Sequence, residues 1–396
     1  MADIPYARPY WNTEEAVALQ KVLDSGFWTN GGHIADFEGE LERLTGAPVV
    51  TMSSGTAAIL ALLRVLGEQV QGPKLLVSPT LNFAAGPASA KLLGWDVGLC
   101  DVTPTDLTVC PDSLAELLDR VRHRYARIVV LPVHYAGHPC DLAAVSAVCE
   151  RFGADLVEDA CHAIGGHHGD PSVPIGSSEK SLAAYFSFHP AKPVATGEGG
   201  AIATRDERLL ERLRLFRNHN MAPVATHEDD FDPWPYDIAA PGTNLRLSEF
   251  HAAVGAVQAR RADETRRERA RLAARYHEAL AGLPAVRTIP GTRREGSAHH
   301  LFPVVFDTRR LGLAKREMLT FFHERGIRCQ VHYTPLHLLG AFGTVAPELR
   351  TSFPSMDDAF PGLVSLPLWY GLGDTDQKRV IDAVEELVGT RRAASI

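Results

Sequence analysis

From about residue 47 the chain alternates short β-rich apolar runs with stretches of helical period, and this alternation admits few architectures. APVVTM (47–52), KLLVSPT (74–80), RIVVLPVHY (127–135) and ADLVED (154–159) read as strands. TAAILALLRVL, SLAELLDRV and DLAAVSAVCERF, lying between them, read as amphipathic helices. Strands that alternate with helices pair in parallel, so the pattern predicts an α/β fold with a mostly parallel sheet covered on both faces. SLAAYFSFH (181–189) and GAIAT (200–204) add two strands joined by a Gly-rich loop.

Residues 250–285 read as one long helical stretch whose seven arginines lie among glutamates and aspartates at helical spacing. With 40 basic against 48 acidic residues, a net of -8, that stretch reads as a solvated connecting helix rather than a nucleic-acid surface. LFPVVFD, LAKREMLTFFHERG, IRCQVHY and DQKRVIDAVEELV then suggest a smaller α+β C-terminal domain. The expected divisions are an N-terminal arm over 1–30, a large domain over 31–255, and the connecting helix with the small domain over 256–396. The arm has no clear period and is expected to pack along the large domain.

No apolar stretch approaches the roughly 20 residues of a membrane span. The start, MADIPYARPYWNTEEA, lacks the charged and apolar regions of a secretory signal. Six scattered cysteines without a CxxC pair fit neither a disulfide scaffold nor a zinc ribbon, so the expectation is a reducing, cytoplasmic setting with mostly buried thiols. No HExxH or tetrahedral Cys/His set is present; no metal is expected, and His167 and His168 read as histidines of a variable loop.

Three segments carry chemistry. In FSFHPAKPVATGEGG, a strand delivers Ser187 and His189 to a loop presenting Lys192, where partial desolvation would free the amine to attack carbonyls. By itself such a lysine is also an ordinary surface residue. In LVEDACHAIG, Asp159 ends a parallel strand, where open α/β sheets place ligand groups, and a carboxylate there can hold a pyridinium proton. His162 follows three positions later; capping by Asp159 and simple packing by His162 are the alternative. In TMSSGTAAIL a strand runs through Ser53-Ser54-Gly55-Thr56 into a helix start, which suits a phosphate but also describes any capped helix. Neither a GxxxxGK[ST] loop nor a proper GxGxxG is present.

In chain order these give a phosphate cradle, an acid and a lysine, each at a strand end. The set resembles fold-type I pyridoxal-phosphate enzymes, specifically the DegT/DnrJ/EryC1/StrS sugar aminotransferase family. FWTNGGHIADFEGELERLTGA, RNHNM, GTNLRLSEFHAAVG and VHYTPLH match further family blocks in order, over almost the whole chain. The resemblance implies the PLP-dependent transferase fold type I: a large domain with a mostly parallel sheet and a smaller α+β C-terminal domain. It makes Lys192 the covalent anchor of pyridoxal 5'-phosphate and the catalytic base, with Asp159 on the pyridine nitrogen. It places His162 at the phenolic oxygen, Gly55, Thr56 and Ser187 at the phosphate, and Phe83 stacked on the ring. It implies a homodimer with shared sites, in which Asn244 reaches the phosphate of the neighbouring subunit's cofactor, and it puts Arg246, His332 and Tyr333 near the substrate.

The activity implied is transfer of an amino group from glutamate or glutamine to a keto group of a nucleotide-activated sugar or a keto-cyclitol, in amino-sugar or antibiotic biosynthesis. No nucleic acid or membrane partner is expected. A sugar dehydratase of the same family typically has His where this chain has Lys192, and a catalytically silent regulatory member would have no need of the lysine, acid and cradle together. Two departures touch the acceptor side: Asn82-Phe83-Ala84-Ala85-Gly86-Pro87 replaces the common TFxATA, and the usual Gly-Asp before the lysine strand is missing.

Overall fold

The computed structural model describes residues 3–223, 236–293 and 295–389; the outermost ends of the arm and of the small domain lie outside these. Two helices, α1 (Thr13–Ser25) and α2 (Gly32–Thr45), precede the alternating region. There β1 (Val49–Met52), β2 (Lys74–Pro79), β3 (Asp96–Cys100), β4 (Arg127–Val130) and β5 (Asp155–Asp159) are separated by α3 (Gly55–Glu68), α4 (Ala85–Leu92), α5 (Pro111–Val121) and α6 (Leu142–Phe152). β6 (Ala183–Ser187) and β7 (Gly200–Ala203) complete a seven-stranded sheet of order β1-β7-β6-β5-β4-β2-β3. The pairs β2–β3, β2–β4, β4–β5 and β5–β6 are parallel. β7 runs antiparallel to both β1 and β6, because the loop joining it to β6 contains no crossover helix.

Each of β1, β5 and β6 therefore ends at the same edge of the sheet, which is where a site belongs in such a fold. α3 buries Leu62, Leu63 and Leu66 completely against the sheet, each worth about 1.5–3 kcal/mol relative to exposure. That packing fixes the N-terminus of α3 over the edge.

After α7 (Glu207–Phe216) and an antiparallel pair, β8 (Met221–Pro223) with β9 (Tyr236–Ile238), the chain enters α8 (Glu249–Arg260) and α9 (Ala262–Ala279). The single long helix expected over 250–285 is thus two, meeting at Arg261. Its arginines are not all solvated either. Arg269 is 3% exposed, and its guanidinium donates to the carbonyls of His299, His300 and Leu368, which take the place of water. The small domain holds β10 (Val286–Thr288), β11 (Phe302–Phe306) and β12 (Leu363–Leu366) as an antiparallel sheet, with helices over Lys315–Glu324 and Asp374–Gly389. IRCQVHY forms no strand there: it makes isolated bridges only, Ile327 with Ile4 and Gln330 with Ser365.

The arm also differs from expectation. Asn12 and Glu15 form a capping box that starts α1, and α1 packs on α8. Ile4 lies instead in the small-domain core, bonded through its backbone to Gly326 and Arg328. None of the six cysteines is in a disulfide, and Cys100, Cys140 and Cys149 are buried. Among the described residues, no helix is long and apolar enough to cross a membrane.

Candidate active site

A cavity of about 500 Å³ opens at the shared strand edge, closed on its other side by the small domain. Gly55, Thr56, Phe83, Asp159, His162, Ser187, Lys192, His332 and Tyr333 all line it. Of the residues that the resemblance assigns to the cofactor or substrate, Asn244 and Arg246 stand outside it. Asn244 is exposed, its Oδ1 accepting from the Arg246 N–H at 3.2 Å, while the Arg246 guanidinium donates to Asn218.

The phosphate cradle is built by β1 and α3. Ser54 caps α3, its Oγ accepting from the Ala57 N–H at 3.0 Å. The N–H groups of Gly55 and Thr56 in the first turn have no intrahelical acceptor and carry the positive end of the helix dipole. A Cβ on Gly55 would stand 2.8 Å from the Cβ of Ser187, so glycine is what lets the end of β6 approach this turn.

Asp159 is held from two sides. Its Oδ1 accepts from the Cys161 N–H at 3.2 Å and its Oδ2 from the Tyr185 hydroxyl. The preceding residue, Glu158, faces the opposite side of the sheet. There it is fully buried and contacts His134 at 2.7 Å, His168 at 2.9 Å, and Ser181. Burial alone would raise the Glu158 pKa, but the two histidines outweigh it and hold the carboxyl well below its ordinary range.

His167 and His168 are therefore not loop histidines in the sense expected. A bridge between His167 and Pro174 folds this segment back, burying His167 and setting His168 against Glu158. The ligand atoms of His134, Glu158 and His168 lie within 4.8 Å of one another, a spacing that would suit a metal ion. His134 Nδ1, however, accepts from the Cys140 N–H at 3.2 Å, so the hydrogen-bond network assigns its proton to Nε2, aimed at Glu158. A donor in that position makes His134, with Ser181, a hydrogen-bonded brace on Glu158 beneath Asp159, and His168 Nε2 stands 2.9 Å from the same carboxylate.

Lys192 enters the cavity from the loop after β6, and burial holds its amine below the ordinary lysine range, with the charge of Asp159 opposing. His162, in the turn after β5, meets the Tyr333 hydroxyl through Nε2 at 2.8 Å. Burial, then the charge of Lys192, keeps His162 and His300 well below the usual imidazole pKa and pushes His332 down to about 4. This wall of the cavity is thus made of neutral imidazoles, and among the described residues Lys192 is the only Lys or Arg in the lining. Phe83 is 57% exposed at the rim, its ring centroid 5.5 Å from that of Tyr333.

These features suit a phosphorylated pyridine aldehyde: a helix-start cradle, a braced carboxylate, a desolvated amine and an exposed ring for stacking. His162 Nδ1 is in addition buried without a protein partner. Sequence reading passed over Tyr6, Tyr185, His300 and Gln330, which also line the cavity. Tyr185 had one signal, its place two residues before Ser187. Tyr6 and His300 come from segments whose approach depends on the packing of both domains.

The model of the DegT/DnrJ/EryC1/StrS aminotransferase family matches residues 9–385. The spore coat polysaccharide biosynthesis protein SpsC of Bacillus subtilis is 30% identical over 390 residues, covering 97% of each chain. The crystal structure of S. venezuelae DesV, in complex with a ketimine intermediate, is 29% identical with a TM-score of 0.82, covering 98% of this chain and 99% of its own. That of DesI, in the presence of its TDP-sugar product, is 26% identical with a TM-score of 0.85, covering 100% and 95%.

Proposed function

The chain belongs to the DegT/DnrJ/EryC1/StrS aminotransferase family, a family of fold-type I enzymes using pyridoxal 5'-phosphate, and from that premise we propose how it acts and on what. It moves an amino group from L-glutamate or L-glutamine to the keto group of a nucleotide-activated sugar, with a keto-cyclitol as a related acceptor. The observation that carries this reading is the meeting of Lys192, Asp159 and the Gly55–Thr56 helix start in one cavity. The polysaccharide-biosynthesis context of SpsC, and the TDP-sugar product named for DesI, support the acceptor class.

Lys192 would anchor the cofactor through Nζ, and the same amine would move the proton as base and then acid. Burial suits this role, since a depressed pKa leaves more of the amine unprotonated near neutral pH. When bound, the pyridoxal ring supplies the electron sink. Asp159 holds the proton on the ring nitrogen, and Gly55, Thr56 and Ser187 bind the phosphate. Phe83 covers the ring face and His162 serves the phenolic oxygen. Neutral His300, His332 and Tyr333 offer hydrogen bonds suited to sugar hydroxyls. Asn244 and Arg246, outside their own cavity, serve the site of a second copy in a homodimer. The setting is amino-sugar or natural-product biosynthesis in the cytoplasm.

Borohydride reduction of the cofactor-loaded enzyme, followed by peptide mapping, tests the anchor. A pyridoxyl label is expected on Lys192, and a label on another lysine overturns the assignment. Single-turnover amination across a panel of nucleotide keto-sugars and keto-cyclitols, with each donor, tests the substrates.

A further inference from the structure

Asp159 and Tyr185 are register partners on the neighbouring parallel strands β5 and β6, so their side chains rise from the same face of the sheet. Both are buried, and the Tyr185 hydroxyl donates to Asp159 Oδ2. The other oxygen, Oδ1, takes the Cys161 N–H. A carboxylate offers about four lone-pair positions, so two fixed donors leave the remainder for the cavity and prevent rotation of the group. The two donors differ in kind: the Cys161 N–H belongs to the turn itself, while the phenol is a side chain that evolution or mutagenesis can remove without touching the backbone.

We propose that Tyr185 is a positioning residue for Asp159, whose donated hydrogen bond orients the carboxylate and takes up part of its negative charge, and thereby sets how firmly the cofactor's ring nitrogen would hold its proton. This rests on the reading of Asp159 as the partner of that nitrogen. Burial, and then the charge of Asp159, pushes the Tyr185 phenol well above its usual range, so it remains a donor at any working pH. The other titratable groups facing Asp159 are Cys161 and His162 from the turn after β5, Lys192 from the loop after β6, and Tyr333 from the small domain. Of these, Cys161 also meets the Tyr185 hydroxyl and loses that contact in Tyr185→Phe, while burial still keeps its thiol well above the ordinary range and uncharged.

The sign of the effect follows from hydrogen bonding to an ionised group, which favours the ionised form. Without the phenol, the carboxylate would draw the ring proton toward itself, the bound ring would lose positive charge, and the linkage at Lys192 would keep its own proton to higher pH. The visible absorbance of the loaded enzyme reports that proton directly.

The experiment compares wild type, Tyr185→Phe and Asp159→Asn, each loaded with pyridoxal 5'-phosphate and titrated by visible absorbance. Tyr185→Phe is expected to raise the pH midpoint by about 0.5–1 unit, and Asp159→Asn to raise it further. Turnover in Tyr185→Phe should fall about tenfold with KM for the amino donor nearly unchanged. A space-filling role alone would alter the melting temperature and leave the midpoint in place. If Asp159→Asn raises the midpoint and Tyr185→Phe does not, the role of Tyr185 is overturned while that of Asp159 stands. If Asp159→Asn itself leaves the midpoint unmoved, the pairing of Asp159 with the ring fails and this proposal with it. Site-specific meta-fluorotyrosine at 185, a stronger donor of nearly equal size, keeps the test open should Tyr185→Phe fail to fold; it must lower the midpoint, and no shift or a rise overturns the proposal.

Discussion

His162 and Tyr333 join the two domains inside the cavity: the imidazole Nε2 and the phenol oxygen stand 2.8 Å apart, one from the turn after β5 and the other from the small domain. Burial raises the Tyr333 phenol well above its usual pKa and lowers His162, so the phenol is the donor and the neutral ring the acceptor. Tyr333→Phe removes that donor and leaves a buried nitrogen unsatisfied, a loss of about 1–3 kcal/mol. kcat/KM for the acceptor should drop roughly tenfold or more, read by steady-state kinetics at saturating donor. Wild-type kcat/KM in this variant would mean the contact does not position the site.

Gly55→Ala sets a methyl group 2.8 Å from the Cβ of Ser187, between the start of α3 and the end of β6. Overpacking of this kind costs about 1–3 kcal/mol and would push the cradle apart. The dissociation constant for pyridoxal 5'-phosphate should rise about tenfold or more, measured by fluorescence titration of the apoenzyme. Unchanged affinity would place the phosphate elsewhere.

Asn244 is exposed and absent from the cavity of its own chain. Inactive Asn244→Ala and Lys192→Ala chains, mixed under exchanging conditions, should therefore regain activity, because one of the two sites in each heterodimer escapes both changes. Activity that stays at background while heterodimers are demonstrated by mass spectrometry would remove Asn244 from the neighbouring site.

Burial pushes His299 and His332 down to about 4 from an ordinary value of 6.5. The unfolded chain takes up these protons near 6.5, whereas the folded chain resists until about 4. Their contribution to stability is therefore complete above the unfolded pKa and is lost as pH falls through this window. Glu158 adds its own loss only below its ordinary value of 4.5. Melting temperature should decline between pH 6.5 and 4, and more shallowly in His332→Gln, which can still bond Ser365. A slope identical to wild type would assign the decline to other groups.

The strand ends that make the site were legible because their signals are local. A β-rich run followed by Ser-Ser-Gly-Thr, or by Glu-Asp, carries its own placement, and Lys192, Asp159 and Gly55 indeed share one cavity. What escaped depends on partners distant in sequence. Periodicity sees seven arginines on a helix but not the three carbonyls waiting for Arg269. It sees IRCQVHY as β-rich but not that its neighbours offer only single bridges. Helix α1 was within reach: Asn12 followed three residues later by Glu15 is a capping-box signature. Tyr185 was legible as a strand residue; its pairing with Asp159 emerged only with the register of β5 and β6.

The path of the N-terminal arm matters to anyone who would recombine this enzyme with its relatives. Ile4 sits in the small-domain core, Tyr6 borders the cavity beside His332, and α1 packs on α8. The small domain is thus a discontinuous module, with its first piece far in sequence from the rest. A chimera cut only at the α8–α9 junction would leave a foreign Ile4 in the transplanted core and a foreign Tyr6 in the acceptor wall. Exchange of acceptor preference by domain grafting should succeed when the arm's first residues travel with the C-terminal half.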